Sequence, residues 1–364
     1  MAETTKLSFS IDDYFHSSNI GSIQRAIGNN SYGLNATQVP GAVPRNRVTQ
    51  GYVFFTRPQL NLQADNLRND RHFYRLLTED YLSVPRSIRA LLDPRICLGY
   101  NFRTNSIPPL HAPLIDNELA FIPWLTNNLI SLSGWPDSTL PTFTSEPGMF
   151  NEVYFQVDGL VDNYEQYDLQ ATFANIRGGA ILGLFYYWMR YAQNVFSGKF
   201  TPYLDYIMKN RLDYNTRAYR LIMDQNKKYV DQIMVAPVCV PIGINMGGLG
   251  DISEDLVFND QVKEISTTIR CIGFETLDDI HVKEFNTVVQ AFNAAMRDQH
   301  RDSAMTKVTR DVLFLFNHRV YPRINPKTYE LEWWAKKEVY KRRTASFLAS
   351  TVDPNNTDPN IFGD

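Results

Sequence analysis

The chain has 364 residues, 44% of them hydrophobic and 13% aromatic, with a formal net charge of -3. That is enough apolar mass for two domains, or for one core domain with large additions. The mildly acidic balance argues against general nucleic-acid affinity, which needs clustered Lys and Arg, and three scattered cysteines (Cys97, Cys239, Cys271) argue against a disulfide framework or structural zinc.

A reducing compartment fits that cysteine usage. The excess of Phe (22) and Tyr (20) over a charged content of 21% fits either an aromatic-rich core or surface intended for other subunits. The first residues, Met1 to Lys6, lack the basic-then-apolar order of a signal peptide. The longest apolar run, Ala180 to Met189, stops at Arg190 and is too short to span a bilayer. The expectation is a chain with no membrane partner, made and kept in a cytoplasm unless it leaves as part of a particle.

In chain order, residues 1–50 are rich in turn and extended-loop chemistry, as in Asn29–Asn35 and Pro40–Asn46. Gly51–Pro58 reads as a strand closed by proline. Asp70–Tyr81 places Phe73, Leu76, Leu77 and Tyr81 at helical spacing, and Val84–Leu92 is a second helix with Pro85 in its first turn. Residues 100–150 are punctuated by proline, with one short helix within Ile122–Leu132. Asp137–Glu146, ending in Pro147-Gly148, is the candidate domain boundary.

The stretch from Asn151 to about Ala236 is the packing centre. Glu152–Val157 is its first strand and Tyr167–Asn175 its second, with Tyr167, Leu169, Ala171 and Phe173 on one face. Gly178-Gly179 breaks the extended chain before a long helix, Ala180–Phe196. Its stripe is Ile181, Leu184, Phe185, Trp188, Ala192 and Val195, widened by Leu182, Met189 and Phe196. Gly183, Arg190, Gln193 and Asn194 are left for a polar edge. A short helix at Tyr203–Lys209 precedes a strand over Leu212–Met223 that contains Tyr214 and Tyr219. Tyr229–Val240 is apolar and mixed, and Pro241–Gly250 reads as a turn-rich loop. Gln261–Phe274 is a strand with Ile265, Thr267, Ile269 and Cys271 on one face. Glu284–His300 is an amphipathic helix on Phe285, Val288, Val289, Phe292 and Met296. Val308–Phe316 is apolar, Tyr329–Leu348 reads as a helix carrying Trp333 and Trp334, and Asp353–Asn360 is a tail.

Catalytic constellations are nearly absent. His16, His72, His111, His281, His300 and His318 stand alone, and none belongs to an HExxH motif. Gly243–Gly250 lacks both the GxGxxG register and the Gly-Lys-Ser/Thr ending of a phosphate loop, so a plain turn is the reading there. Asp278-Asp279 with Glu275 is an acidic turn that either solvates or binds a cation, without the spacing of a calcium loop. The basic run Lys336–Arg343, interleaved with Trp333, Trp334, Tyr340 and Phe347, suits an acidic partner. The mildly acidic chain favours instead a helix with its aromatics on a core or interface and its charges in water.

The order of elements over 150–292 resembles contractile-phage tail tube proteins and the tube-like domains of baseplate hub adaptors. The residues that carry the resemblance are Tyr167–Phe173, Asn175–Arg177 leading into Ala180–Phe196, Leu212–Asp224 and Val262–Phe274. Gly51–Pro58 and Leu212–Arg220 are similar in flavour to virion proteins of large tailed phages. The resemblance implies an α+β fold with a central antiparallel β-sandwich or barrel and one long packed helix. Irregular N-terminal and helical C-terminal additions complete it, dividing the chain at 1–147, 148–300 (long helix 180–197) and 301–364. Because those additions exceed a plain tube protein, it implies a tail or baseplate connector rather than the repeating tube subunit.

The resemblance further implies a ring-like homo-oligomer, hexameric, in contact with other tail and baseplate proteins, with genomic DNA only in passage. The chain would be located in the virion after assembly in the host cytoplasm, with no cofactor, no metal and no catalysis. The candidate structural or interface residues are Phe185, Trp188, Tyr214, Tyr219, Trp333 and Trp334. Alternatives are a neck, tail-terminator or capsid-associated protein, and a hydrolase whose site assembles in space.

Overall fold

The computed structural model describes residues 51–97, 110–159, 165–224, 227–246, 264–276, 278–316 and 319–352. The readings at 29–35, 40–46, 108–109, 247–250, 261–263 and 353–360 lie outside these residues. Along the chain come β1 (Gly51–Phe55), α1 (Val84–Leu92), β2 (Leu129–Ser133), β3 (Thr142–Thr144), β4 (Phe155–Val157), β5 (Gln166–Ala174) and α2 (Ala180–Phe196). They are followed by β6 (Thr216–Met223), β7 (Val230–Ile244), β8 (Glu264–Ile272), β9 (Glu275–Thr276) and α3 (Ile280–Phe292). The last are β10 (Met305–Val308), β11 (Tyr321–Ile324), β12 (Leu331–Lys336) and α4 (Lys337–Val352). Helices mixed with antiparallel sheets make this an α+β chain.

The main sheet has the order β1-β6-β7-β8-β5-β2, with β9 beside β7, and every pairing is antiparallel. β1 and β2 precede residue 147 and the other strands follow it, so a cut at 147 runs through one sheet. β5 and β8 alternate as their sequences predict. Leu169, Ala171 and Phe173 are buried on one face with Ile265, Thr267, Ile269 and Cys271. On the other face the register sets Asp168 opposite Arg270, Gln170 opposite Thr268 and Thr172 opposite Ser266. β1, β6 and β7 are covered on both faces. Val53, Phe55, Ala218, Ala236 and Cys239 join one core cluster, while Phe54, Tyr219, Leu221, Ile233 and Val235 join another. Their apolar runs lack clean alternation for that reason.

The first face carries α1 and α2. Gly178 (φ 89°) and Gly179 (φ 64°) occupy the left-handed region that glycine tolerates, and they release α2 from the strand. Ile181, Leu184, Phe185, Trp188 and Tyr191 are buried, and the Trp188 indole donates to the Tyr214 carbonyl at 2.8 Å. α1 begins at Ser83, whose hydroxyl accepts from the Arg86 N–H, with proline in the first turn. Gly183 sits where the two helices meet: a Cβ there would come within 2.9 Å of Ile88 Cδ1. The polar edge read from the sequence is therefore wrong at two positions. Gly183 is a close helix approach, and Asn194 is 2% exposed because its amide donates to Asp70. Phe196, expected to widen the apolar stripe, is 94% exposed.

The second face carries α3, whose Phe285 packs on Phe54, Phe121 and Tyr219. Beyond it lies a three-stranded sheet, β10-β12-β11. Here the predicted helix over Tyr329–Leu348 fails: Leu331–Lys336 is strand and the helix starts at Lys337. Trp333 pairs with Val308 and Pro322, and Trp334 with Lys307 and Tyr321. Cross-strand packing of two β-favouring aromatics outweighs helical spacing. The C-terminal section is thus sheet plus helix, not helical alone.

Other boundaries shift for identifiable reasons. The Asp70–Tyr81 helix shortens to a 3-10 turn over Arg71–Leu77, which still buries Phe73 and Leu76. The Ile122–Leu132 helix ends at Asn128 and the chain continues as β2. The strand expected from Leu212 starts at Thr216, because Asp213 is instead buried under the Tyr191 hydroxyl. β7 continues to Ile244 where a loop was expected, and a register shift between Pro241 and Gly243 accommodates the proline. β4 covers only Phe155–Val157 and lies outside the main sheet, although Glu152–Val157 reads as the first strand of the packing centre. α3 ends at Phe292, and Met296 sits in a following 3-10 turn.

One buried cation ties the layers together. The Arg57 guanidinium donates to the carbonyls of Ala90 and Leu91 at the end of α1 and to those of Asp116, Asn117 and Leu119. It thereby satisfies carbonyls left open by a helix terminus. Burial lowers its pKa to about 10, so it remains charged at neutral pH. The same loop reaches the C-terminal sheet, where Tyr321 donates to Asp116 at 2.8 Å and Lys336 to Glu118 at 2.7 Å.

Buried carboxylates hold the first face. Burial opposes ionisation of Asp70, but hydrogen bonds from Asn194, the His72 amide and Arg190 outweigh it and bring its pKa to about 2. Burial dominates at Asp93 and Asp213 and raises each to about 6. Asp93 accepts from the Leu62 amide and the Tyr203 hydroxyl, each at 2.9 Å.

Two outcomes follow from this packing. Trp188→Ala should cost about 3–5 kcal/mol in urea unfolding, since it empties a buried site; a change within experimental noise would show that α2 does not pack as described. Asp213 contributes stability that is fully present below its ordinary value of 3.8 and lost as pH rises through about 6. Asp213→Asn should therefore gain on the wild type by about 3 kcal/mol between those limits. Parallel stability curves across pH 3.5–7 would contradict this.

Candidate assembly surface

Between Pro136 and Gly159 the chain carries four acids, Asp137, Glu146, Glu152 and Asp158, and no Lys or Arg. Within it β3 and β4 pair antiparallel, Thr142 to Val157 and Thr144 to Phe155, as a ribbon separate from the main sheet. Its tip is tied by its own groups. The Gly148 N–H donates to the Glu152 carbonyl, and the Phe150 N–H to the Glu152 carboxylate at 2.7 Å. Every residue of both strands is exposed, as are Tyr154 and Val153, and the tip residues Met149 and Phe150 are 92% and 86% exposed. A lone two-stranded ribbon is marginal in water. Contiguous exposed apolar surface of this kind marks interaction sites.

A second feature lies at the ends of the main sheet. Among the described strands β1 pairs with β6 alone and β2 with β5 alone. Both line one cleft of about 260 Å³, with Tyr52 and Val53 on one wall and Leu129, Ile130 and Leu132 on the other. Its charged lining residues are Arg220 and Lys227. The outer edge of β1 is closed at its Phe55 end, where the Phe55 carbonyl accepts from the Ile122 N–H. No described strand pairs it at Gly51–Val53, and open strand edges of this kind present unpaired backbone groups to an incoming chain. The outer face of β5 and β8 is polar and balanced. Arg270 donates twice to Asp168, at 2.9 and 3.0 Å, which lowers the Asp168 pKa and raises that of Arg270.

The six residues singled out from sequence fall elsewhere. Phe185, Trp188 and Tyr219 are fully buried: Phe185 contacts Phe173 at 5.5 Å, and Tyr219 meets Phe285 edge-on at 5.5 Å. Tyr214 is half-buried against the first core cluster. Trp333 packs edge-on against Tyr52 at 6.1 Å, and Arg301 lies 4.9 Å over Trp334. None belongs to the ribbon. Its exposed aromatics, Phe143, Phe150, Tyr154 and Phe155, went unselected; apolar residues on both faces of a strand flanked only by acids were the available signal.

The remaining sequence candidates are engaged. Lys336 and Lys337 of the basic run bind Glu118 and the Asp302 carbonyl, and Tyr340 stacks on Phe316. Asp278 accepts from the Ile280 amide at the start of α3, and Asp279 from the Tyr329 hydroxyl. His281 is buried between Glu275 and Glu284, so it does not stand alone. Among the described residues no group of three or more His, Cys, Asp or Glu is arranged to hold a metal, and no helix is long and apolar enough to cross a membrane.

Since the ribbon contributes nothing to the core, replacing both Met149 and Phe150 with Ser should leave the unfolding free energy within about 0.5 kcal/mol of wild type. A loss on the scale expected for Trp188→Ala would show that the tip packs on the body.

The model of the family described as "Putative phage tail tube protein" matches residues 5–350. No curated protein matches the chain. Among solved structures, the tube-terminating cap of the anti-feeding prophage aligns at 10% identity and a TM-score of 0.28, over 43% of this chain and 82% of that one. The extended sheath–tube complex of the extracellular contractile injection system PVC aligns at 10% and 0.26, over 43% and 82%. The terminator of the same system aligns at 8% and 0.24, over 44% and 88%. The family match runs through the N-terminal and C-terminal sections as well as the centre. The chain belongs to the phage tail tube protein family, and its role is that of a structural component of the phage tail.

Proposed function

We propose that the chain works by assembly, its copies joining into the rings of a tail tube and touching neighbouring tail and baseplate proteins. The observation that carries this is the exposed acidic ribbon, which displays apolar residues on both faces and adds nothing to its own core. The open edges at β1 and β2 are a second contact surface, where backbone pairing turns an aggregation hazard into a joint. Closed rings remove such edges altogether, and six-fold closure is what the resemblance to tail tube proteins implies.

Genomic DNA would meet the ring only in passage. The polar outer face of β5 and β8 suits that contact, because Asp168 and Arg270 cancel and their neighbours Gln170 and Thr268 are neutral. A passing polyanion finds no excess of cations to release counterions against. In this reading the subunit resides in the virion and assembles in the host cytoplasm.

Sedimentation velocity and electron microscopy of the purified full chain test the proposal. Rings or stacked rings should appear as concentration rises, and the chain should be recovered from virions. A strictly monomeric chain that is also absent from particles would contradict it.

A further inference from the structure

Arg220 stands on β6 opposite Val53, half-buried, with its side chain in the cleft between β1 and β2. Gly51 lies tight against the β6 backbone: a Cβ there would run into the Leu221 carbonyl oxygen and would lie 3.1 Å from the Arg220 guanidinium. Burial lowers the Arg220 pKa. Lys227 lines the same cleft on a left-handed backbone (φ 51°), with its ammonium 5.5 Å over the Tyr52 ring. Neither cation makes an ion pair with a described residue, whereas most other half-buried arginines here do: Arg95 with Asp205, Arg190 with Asp70, Arg323 with Glu332. Desolvating a cation without a counter-ion is costly unless a partner supplies the anion.

The cleft therefore specifies its occupant: an extended segment with apolar side chains, free backbone groups for two open strand edges, and carboxylates for Arg220 and Lys227. Among the described residues one exposed segment has that chemistry. The β3–β4 arm carries only acids, its strands have free outer edges, and its tip shows Met149 and Phe150 to solvent. Glu152 is used within the tip, while Glu146 is exposed and unengaged among the described residues. We propose that the β1–β2 cleft is the receptor for the arm of a second copy, which presents Glu146 to Arg220 and Lys227 and lays Met149 and Phe150 on Ile130 and Leu132. This deepens the assembly reading above and rests on it. β-strand addition at an open edge supplies the backbone contacts, and charge pairing sets the register.

Full-length chains test the contact. Arg220→Glu, Lys227→Glu and Glu146→Arg should each raise the concentration needed for assembly by about tenfold or more. Glu146→Arg combined with Arg220→Glu in one chain should recover most of the loss. Melting curves identify any variant that fails to fold, and a separate measurement needs none of these charge changes. Phe150→Cys copies mixed with Ile130→Cys copies should give covalent mixed dimers under mild oxidation, in excess of either variant alone.

Wild-type rings alongside unaffected charge variants and absent mixed dimers would overturn this contact and leave the assembly reading standing. Binding of inorganic phosphate or an oligonucleotide that depends on Arg220, with assembly unchanged, would also overturn it. A wild-type chain that never assembles would overturn both.

Discussion

Three strands buried on both faces set the terms for everything else. β1, β6 and β7 direct apolar side chains to opposite sides of one sheet, so the chain must supply two covering layers. α1 and α2 cover one side, and α3 backed by the C-terminal sheet covers the other. The apolar surface of the body is largely consumed in doing so. Besides apolar side chains such as Phe196, Leu204 and Met208, what remains exposed includes the two-stranded arm, the open edges of β1 and β2, and the polar outer face of β5 and β8. Each of these last three is more readily explained by contact with another molecule than by folding of one chain.

The two layers are kept in one geometry by hydrogen bonds to charged groups rather than by apolar packing alone. Arg57 gathers carbonyls from the end of α1 and from residues 116–119, and the side chains of that loop hold Tyr321 and Lys336. A displacement of either layer would leave a buried guanidinium short of acceptors, which costs more than the same displacement against apolar neighbours. Rigid placement of the edges of the main sheet follows, as the proposed repetition of the subunit in a ring requires.

How much of this was legible depended on periodicity. β5, β8, α1 and α2 show one clean period each, and the sequence delimits them closely. β7 hid its length because Pro241 and Gly243 look like a loop unless the neighbouring strand is known. Trp333 and Trp334 looked helical because their strand partners, Val308 and Tyr321, lie outside any local window. Asn194 and Gly183 read as a polar edge because a buried carboxylate and a helix crossing are tertiary facts. The arm was legible as chemistry but not as a place. Its missing cations are in the sequence, whereas its separation from the main sheet is not. The family resemblance held, and the match extends from residue 5 to 350 where the sequence reading carried it over 150–292.

Amide hydrogen exchange on the full chain, compared between its dissociated and assembled forms, tests the central claim most directly. The account expects residues 140–158 and the outward-facing amides of β1 and β2 that line the cleft to exchange faster in the dissociated chain and to become strongly protected on assembly. The doubly buried amides of β6 and β7 should be slow in both. An arm that exchanges as fast in the assembled form as in the free one would contradict the claim that exposed apolar surface is what joins the copies.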